Sequence, residues 1–385
     1  MSTEHKYILL FAIVFGLLIR IYLILFAPIE GSFTPGVLSA YGDELAHVEY
    51  TRHIIETGAL PSKIVPITKA SLHDQPSFEN YQSPLYYIIH GTICRGLSVT
   101  SVYAVAMTGR LLSFACMLLV IIVGLKILDA LGKSISIVTR INAILFLVLS
   151  GVFIRFSTLA GNEMLAWLMS GCVILAFLKY RQFRSTRYLN LLAFTFVVGL
   201  YSKLTVLVLS PLILALLIQS FRSGKRRESI IAAIFLVFMT APLFIYNTYT
   251  FGSPVPLSSG FGEPTIRVPN FDSLLYAVRS SVFPWSELWR NWIGLMAMLP
   301  AVLLVFMVSL LVFRQSNEQK WTKILGISGI AAYVLLNVQY DQAEARYAFI
   351  SWPAIVAGFQ GLPKFAASPW LIAISLILPH ILFVL

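Results

Sequence analysis

The chain has 385 residues, of which 58% are hydrophobic and 12% are charged, and its mean hydropathy is +0.82. Soluble domains carry about 25% charged residues, so this composition excludes a large soluble domain. The net charge of +11 would suggest nucleic-acid binding in a soluble protein. In so apolar a chain it indicates basic cytoplasmic loops instead, and no nucleic-acid partner is expected.

Apolar runs of about 20 residues recur from one end of the chain to the other, and each is long enough to cross a bilayer. We therefore predict an all-α integral membrane protein, a single polytopic transmembrane domain over 1–385 without a soluble C-terminal domain. About eleven transmembrane helices are expected. The predicted spans are 7–27, 102–125, 138–154, 163–180, 188–202, 204–220, 230–247, 293–313, 324–338, 347–362 and 370–385.

Polar side chains inside apolar segments carry information about packing. The first span is too long for the apolar part of a cleavable signal peptide, and Arg20 interrupts it. Because a charge is costly in lipid, we expect Arg20 to face the other helices, toward the carboxylates described below. The cysteines lack paired spacing, which predicts small buried hydrophobic side chains at Cys94, Cys116 and Cys172.

A further apolar stretch, 84–97, is about 14 residues long and is therefore short for a crossing. It also contains His90 and Arg95. If it crossed, every later basic loop would face outward, against the positive-inside rule. We therefore predict a short non-crossing helix there, with the N-terminus inside and two long outer segments, 28–83 and 248–292. Long loops carry function more often than short ones.

The segment from Tyr41 to Gly58 predicts a helix in the first outer segment. Asp43 can cap a helix that begins at Glu44, and Gly58 fits just past its end, with Pro61 beyond. Residues three or four apart share a face. One face is mostly apolar and would rest on the membrane surface, while the other is polar; the first carries Leu45, Val48, Arg52 and Ile55, and the second Glu44, His47 and Thr51.

Asp43 and Glu44 are adjacent carboxylates at this helix start, and two interpretations are open. One carboxylate would take a proton from an attacking hydroxyl while the other holds a cation or fixes the geometry. Alternatively, Asp43 is only a cap and Glu44 only interacts with the helix dipole. Glu44 and His47 have the spacing of half a carboxylate-bridged metal site, but the matching half is missing, so no protein-only metal site is predicted.

Five short polar motifs stand near predicted outer ends of spans. They are Asp43-Glu44, followed by Arg52-His53, Thr57-Gly58 and Pro61; Tyr-Gln-Ser-Pro-Leu-Tyr-Tyr at 81–87; Gly-Asn-Glu-Met-Leu at 161–165; Gly-Leu-Tyr-Ser-Lys-Leu-Thr at 199–205; and Arg346-Tyr347, followed by Pro353. In this order they resemble the membrane glycosyltransferases of the GT-C superfamily, which contains protein O-mannosyltransferases and the lipid A aminoarabinose transferase. The resemblance covers most of the chain. It departs where Gln82 and Ser83 replace a Lys and a Pro of the lipid A enzyme, and where Glu163 replaces an Asp.

The resemblance implies an inverting enzyme that moves a sugar from a polyprenyl-phosphate carrier in the membrane to a hydroxyl of a glycan, glycolipid or protein. It implies catalysis by Asp43 as the base together with Glu44. Glu44 and Glu163 would hold the acceptor or a divalent cation, and the cofactor is left open between none and Mg²⁺ or Mn²⁺. Substrate binding is assigned to His47, Tyr81, Gln82, Asn162, Glu163, Lys203, Arg346 and Tyr347.

The departing lipid phosphate needs cations near the outer interface, and Arg grips phosphate in a bidentate manner. Four cationic side chains lie near predicted outer helix ends. We expect Lys203 and Arg346 to bind phosphate. For all four, the alternative is to extend to the interface or to pair with an acidic residue: Glu163, Asp341 or Glu344. We favour this alternative for Arg110 and Arg155.

Two further interpretations concern the second outer segment and the protein class. Its tryptophans would cover the carrier lipid or stack on sugar, although an interfacial aromatic belt explains them more simply: Trp285, Trp289 and Trp292.

The main alternative to an enzyme is a transporter or flippase of lipid-linked glycans, although transporters often show internal repeats, which this chain lacks. Two further alternatives are an assembly protein without catalysis and a glycan ligase. For a prokaryotic chain, the expected location is the plasma (inner) membrane, with the active site facing away from the cytoplasm.

Overall fold

The computed structural model of the chain describes residues 3–29, 44–62, 80–131, 135–256, 321, 324, 327, 350–359 and 368–384. All regular structure in these ranges is helical. The helices are α1 (Thr3–Phe26), α2 (Glu44–Thr57), α3 (Leu85–Gly96), α4 (Val102–Leu131), α5 (Ile137–Leu149), α6 (Gly151–Phe156), α7 (Glu163–Phe183), α8 (Thr186–Ser202), a 3-10 helix (Leu204–Leu209), α9 (Ser210–Arg222), α10 (Arg226–Phe251), α11 (Trp352–Gly358) and α12 (Pro369–Val384).

Within the described residues, five stretches are long and apolar enough to cross a membrane: α1, α4, α7, the 3-10 helix continued by α9, and α10. The 30 residues of α4 extend about 45 Å, more than a hydrocarbon core of about 30 Å. The chain is therefore a multi-pass membrane protein. The spans predicted at 7–27, 102–125, 163–180, 204–220 and 230–247 fall on these stretches. The span predicted at 293–313, and nearly all of the one at 324–338, lie outside the described residues.

The span predicted as one helix over 138–154 is broken, which corrects that prediction. Ser150 has extended backbone angles between α5 and α6, so the helical hydrogen bonds stop there. The buried Arg20 guanidinium lies at the break, with Nη1 2.6 Å from the Val148 carbonyl oxygen and Nε 2.8 Å from Ser157 Oγ. Arg20 thus faces the bundle as predicted, but among the described residues its hydrogen bonds go to this helix end and not to a carboxylate.

The first outer segment contains the predicted helix, and its polar side is buried. α2 begins at Glu44 as predicted, and Gly58 follows it with φ 74°, a left-handed conformation that suits glycine. Glu44, His47 and Thr51 are all at most 4% exposed. The polar face of α2 therefore points into the protein, and what it contacts there is part of the candidate site.

The stretch 84–97 forms α3, whose 12 residues extend only about 18 Å. It packs against α2, and Arg95 at its end donates to the Ile54 and Ile55 carbonyl groups at the end of that helix. Both helices also contact the start of α4. α2 and α3 thus form a pair that lies against the bundle.

His90 joins α2, α3 and α4. Its Nε2 lies 2.9 Å from the Val105 carbonyl oxygen and therefore donates, and its Nδ1 lies 3.0 Å from Thr51 Oγ1. Burial lowers the pKa of His90 from 6.5 to about 4, against a smaller opposite effect of the Val105 hydrogen bond. His90 is therefore neutral at neutral pH, with the proton on Nε2 and Nδ1 as the acceptor.

Protonation of His90 is expected to destabilise the fold in acid. Because the folded pKa lies below the unfolded value, the unfolded chain binds more protons between them, so stability falls as pH drops from about 6.5 toward 4. The loss between pH 7.5 and pH 5 would be about 2 kcal/mol. Thermal unfolding of the purified protein in detergent measures it. His90→Gln, which cannot titrate there, should lose less over the same interval; an equal loss would contradict the assignment to His90.

The centre of the bundle is the antiparallel pair α7 and α8, with α4 packed against α7. α11 contacts both α4 and α7, and the Trp352 indole N–H donates to the Trp167 carbonyl oxygen at 2.9 Å. All three cysteines are free, as predicted, and two are fully buried. α7 begins and α8 ends at the same end of the bundle, where α1 also ends and α4 begins. That end carries the candidate site.

Candidate functional site

Four segments distant in sequence converge at this end of the bundle. They are the start of α2, the turn before α3, the turn before α7 and the end of α8. Their contacts join Glu44 to Ala160, Gln82 to Asn162, and Glu163 to Lys203. Residues from four of the five predicted motifs, at 44, 82, 162–163 and 203, therefore meet in one place.

Glu44 forms a buried ion pair with Arg110 of α4. Arg110 Nε lies 2.7 Å from Glu44 Oε1 and Nη2 lies 2.7 Å from Oε2, so the guanidinium binds the carboxylate through both oxygens. The Ala160 backbone N–H also donates to Oε1, at 2.9 Å. Neither side chain is more than 1% exposed. These contacts fix the Glu44 carboxylate against α4 and the turn before α7.

A second buried ion pair joins α7 to the end of α8. Lys203 Nζ lies 2.6 Å from Glu163 Oε1 and 3.2 Å from Asn162 Oδ1. Lys203 points there because α8 ends at Ser202 and Lys203 itself is extended, with φ −162° and ψ 133°. The alternative that the sequence left open for Lys203, an ion pair with Glu163, is thus observed. Two of its three N–H donors are used in these contacts.

The Asn162 side chain links the Lys203 pair to the turn before α3. Its Nδ2 donates to Gln82 Oε1 at 3.2 Å and to the Ser202 carbonyl oxygen at 3.1 Å. Gln82 Nε2 in turn lies 3.2 Å from the Tyr81 hydroxyl oxygen. The predicted residues Tyr81, Gln82, Asn162 and Lys203 therefore belong to one hydrogen-bonded network.

His47 lies beside this network and is held by aromatic side chains. Its Nδ1 is 2.6 Å from the Tyr87 hydroxyl oxygen, and the Tyr87 ring stacks on Tyr50 with a centroid distance of 3.8 Å. The Tyr50 hydroxyl donates to the Gln82 carbonyl oxygen at 3.3 Å. Burial raises the pKa of Tyr50, which keeps this hydroxyl protonated as a donor.

Gly161 lets His47 and Glu163 come close to each other. A Cβ atom at this position would lie 2.8 Å from Glu163 Oε2 and 3.4 Å from His47 Cδ2, and the first distance is too short for a real contact. The turn before α7 therefore needs a residue without a side chain here. Any larger residue at this position would displace the Glu163 carboxylate.

Three of the predicted residues, Asp43, Arg346 and Tyr347, lie outside the described residues. Arg155 is half-buried, and its guanidinium carbon lies 5.3 Å from the centre of the Phe156 ring. In the part of the chain that the structure describes, no three His, Cys, Asp or Glu side chains are grouped as metal ligands. A divalent cation bound by Glu44 or Glu163 would have to share the carboxylate with Arg110 or Lys203.

Sequence reasoning assigned no site role to Arg110 or to the tyrosines around His47. A signal for Arg110 was present, because a charge inside an apolar helix needs a partner. The choice of Glu44 as that partner depends on how α2 packs on α4, which no local pattern encodes. Tyr87 belongs to the motif at 81–87 but was given no role of its own, and Tyr50 gave no signal, since its side chain acts only through tertiary contact.

Neither the family models nor the curated protein sequences gave any match to this chain. Among solved structures it is similar to ArnT from Cupriavidus metallidurans in the apo state, with 15% identity, a TM-score of 0.58 and coverage of 93% of this chain. It is also similar to ArnT from the same organism bound to undecaprenyl phosphate, with 16% identity, a TM-score of 0.55 and coverage of 91%. The chain spans about three fifths of the length of these proteins, 60% and 59%. The likeness establishes a shared fold.

Proposed function

We propose that this chain, which shares the fold of the ArnT structures, is an inverting GT-C glycosyltransferase. It would move a sugar from a polyprenyl-phosphate carrier to an acceptor hydroxyl. The observation that carries the proposal is the meeting of Glu44, Gln82, Asn162-Glu163 and Lys203, which come from separate motifs, at one end of that fold. The ArnT structure with bound undecaprenyl phosphate supports a donor of this chemical class.

In the proposed reaction the acceptor oxygen attacks the anomeric carbon as the bond from that carbon to the phosphate oxygen breaks. Asp43 takes the proton from the acceptor hydroxyl. The bonding electrons leave with the polyprenyl phosphate, whose added negative charge Lys203 and Arg346 would stabilise. Glu44, held by Arg110, would fix the start of α2, and Glu163 with Asn162 would hold Lys203 in place.

The proposed orientation puts the site on the non-cytoplasmic side of a membrane crossed by about eleven helices. The turns between α7 and α8 and between α9 and α10 lie at the opposite end of the bundle and are basic, with the Lys225 ammonium donating to the Arg184 carbonyl group. Positive charge favours the cytoplasmic side. The site would therefore face away from the cytoplasm.

Reporter fusions test this orientation. We expect a reporter inserted at Lys225 to be cytoplasmic, because of the basic residues around it, and one inserted at Gly260, in the second outer segment, to be outside. Accessibility of the two reporters to a membrane-impermeant reagent measures the side. The reverse pattern would refute the topology and the proposed side of the reaction.

Comparative glycan analysis tests the activity itself. Surface glycans and glycolipids from cells with the gene and cells without it would be compared by mass spectrometry. We expect one sugar residue to be missing without the gene, and its mass and attachment point would identify the substrates. No difference would overturn the proposal. A loss that is restored equally by a variant without Asp43 would favour the transporter or flippase alternative.

A further inference from the structure

Arg110 makes more contacts than a counter-ion for Glu44 needs. It is 1% exposed, and a guanidinium has five N–H donors. Two of them bind the Glu44 carboxylate. The others reach carbonyl oxygens at the end of α1 and just beyond it, with distances of 3.0 Å to Ile24, 2.8 Å to Ala27 and 2.9 Å to Pro28.

One guanidinium therefore holds both ends of the segment between Pro28 and Glu44. The contacts to Ala27 and Pro28 hold the chain where it leaves α1, and the contact to Glu44 holds it where α2 begins. The Ala160 N–H extends the same cluster to the turn before α7. The end of α1, the start of α2 and the turn before α7 are thus fixed relative to one another at a single buried group.

We infer that Arg110 is a positioning residue for the transfer reaction. By holding Glu44, it would place Asp43, the residue bonded to Glu44. The inference rests on the proposed function. Consecutive Cα atoms are about 3.8 Å apart, so the place of Glu44 restricts the place of Asp43. A displacement of about 1 Å at a reacting group can cost on the order of 100-fold in rate.

Two conservative variants separate positioning from binding. Arg110→Lys keeps the charge but loses the planar fork, and Glu44→Gln keeps the shape but loses the ion pair. We expect each to slow sugar transfer about 100-fold. The transfer rate would be read from the reappearance of the missing glycan after induction, per molecule of folded protein. Affinity for undecaprenyl phosphate, measured on the purified protein, should change less than about twofold, because Lys203 lies in a separate network.

A double-mutant cycle with Asp43 tests the route of the effect. Asp43→Glu keeps a carboxylate but displaces it, so residual transfer stays measurable. If Arg110 acts by placing Asp43, Arg110→Lys should lower the transfer rate by a much smaller factor in the Asp43→Glu background than in the wild-type background. The matched control is Arg20→Lys, since Arg20 is equally buried, and its partners in the described part of the chain are carbonyl and hydroxyl oxygens and not a carboxylate. Its effect should multiply independently with that of Asp43→Glu.

The outcomes distinguish failure of the inference from failure of the proposed function. Wild-type transfer rates in Arg110→Lys, or effects that multiply independently with Asp43→Glu as in the control, would overturn the positioning role. They would leave the proposed function standing as long as Asp43→Asn is inactive. Normal transfer by Asp43→Asn would instead overturn the proposed function. If Arg110→Lys folds poorly, the positioning role can still be tested, because Glu44→Gln removes the same ion pair.

Discussion

Replacing Asp43 with Asn is expected to reduce sugar transfer at least about 1,000-fold while the protein still folds and inserts in the membrane. An amide of the same shape cannot accept the proton of the attacking hydroxyl, whereas the contacts of Glu44 with Arg110 and Ala160 do not involve residue 43. The measurement is the mass-spectrometric glycan profile of cells that contain only the Asn form. The sugar missing from the deletion strain should be missing here too.

The control for this variant is Asp129→Asn, the same substitution at the other end of the bundle. Asp129 pairs with Arg140 at the surface, and such pairs contribute about 0–1 kcal/mol to stability. Glycan output from this variant should be unchanged. If the Asp43→Asn form also restores normal glycans, Asp43 is not the base, and the protein moves lipid-linked glycans without transferring sugar or uses another carboxylate.

Replacing Lys203 with Met should lower both the free energy of unfolding and the rate of sugar transfer. Glu163 would then be a buried carboxylate without its cation, and breaking a buried ion pair on one side costs about 3–5 kcal/mol. Losing the cation would also remove a group that stabilises charge on the departing phosphate, which is worth on the order of 100-fold in rate. Thermal unfolding in detergent and the glycan profile measure the two losses separately.

The double variant Lys203→Met with Glu163→Gln separates these effects. It removes both charges, so most of the lost stability should return, since no unpaired charge stays buried. Transfer should stay low, because the Lys203 cation no longer stabilises charge on the phosphate and only Arg346 is left for that role. Recovery of transfer together with stability would show that Lys203 acts only as the partner of Glu163. The competing interpretation, in which Lys203 has no role beyond that ion pair, would then be correct.

Composition and hydrophobic periodicity were enough to predict the helices that cross the membrane. Long apolar runs have few alternative structures in a bilayer, so the predicted bounds of α1, α4 and α8 lie within a few residues of the observed ones at most ends. The break at Ser150 could not be predicted. It depends on the carbonyl groups of α5 finding a donor in Arg20, which lies 128 residues from Val148 in sequence.

The motifs of the candidate site were chosen by their resemblance to those of GT-C glycosyltransferases. The structure adds the contacts between them. Gln82, Asn162 and Lys203 were selected from separate motifs and are joined by hydrogen bonds. Arg110 was expected at the interface or beside another acidic residue, because sequence separation alone does not show which of several carboxylates an arginine reaches. The buried polar face of α2 was likewise hidden, since an amphipathic pattern does not say which face meets protein.

The contacts of Glu44 also set an order of events during synthesis. Arg110 is 66 residues later in the chain than Glu44, and Ala160 is 116 residues later. At about 5–20 residues per second, the ribosome takes on the order of ten seconds to supply the second partner. α2 must therefore wait beside the membrane with its carboxylate unpaired, and α4 must insert a charged arginine, before the two meet. In the proposed orientation, the segment that carries Glu44 would cross the membrane before α4 is inserted, and Arg110 would then meet its partner on the far side.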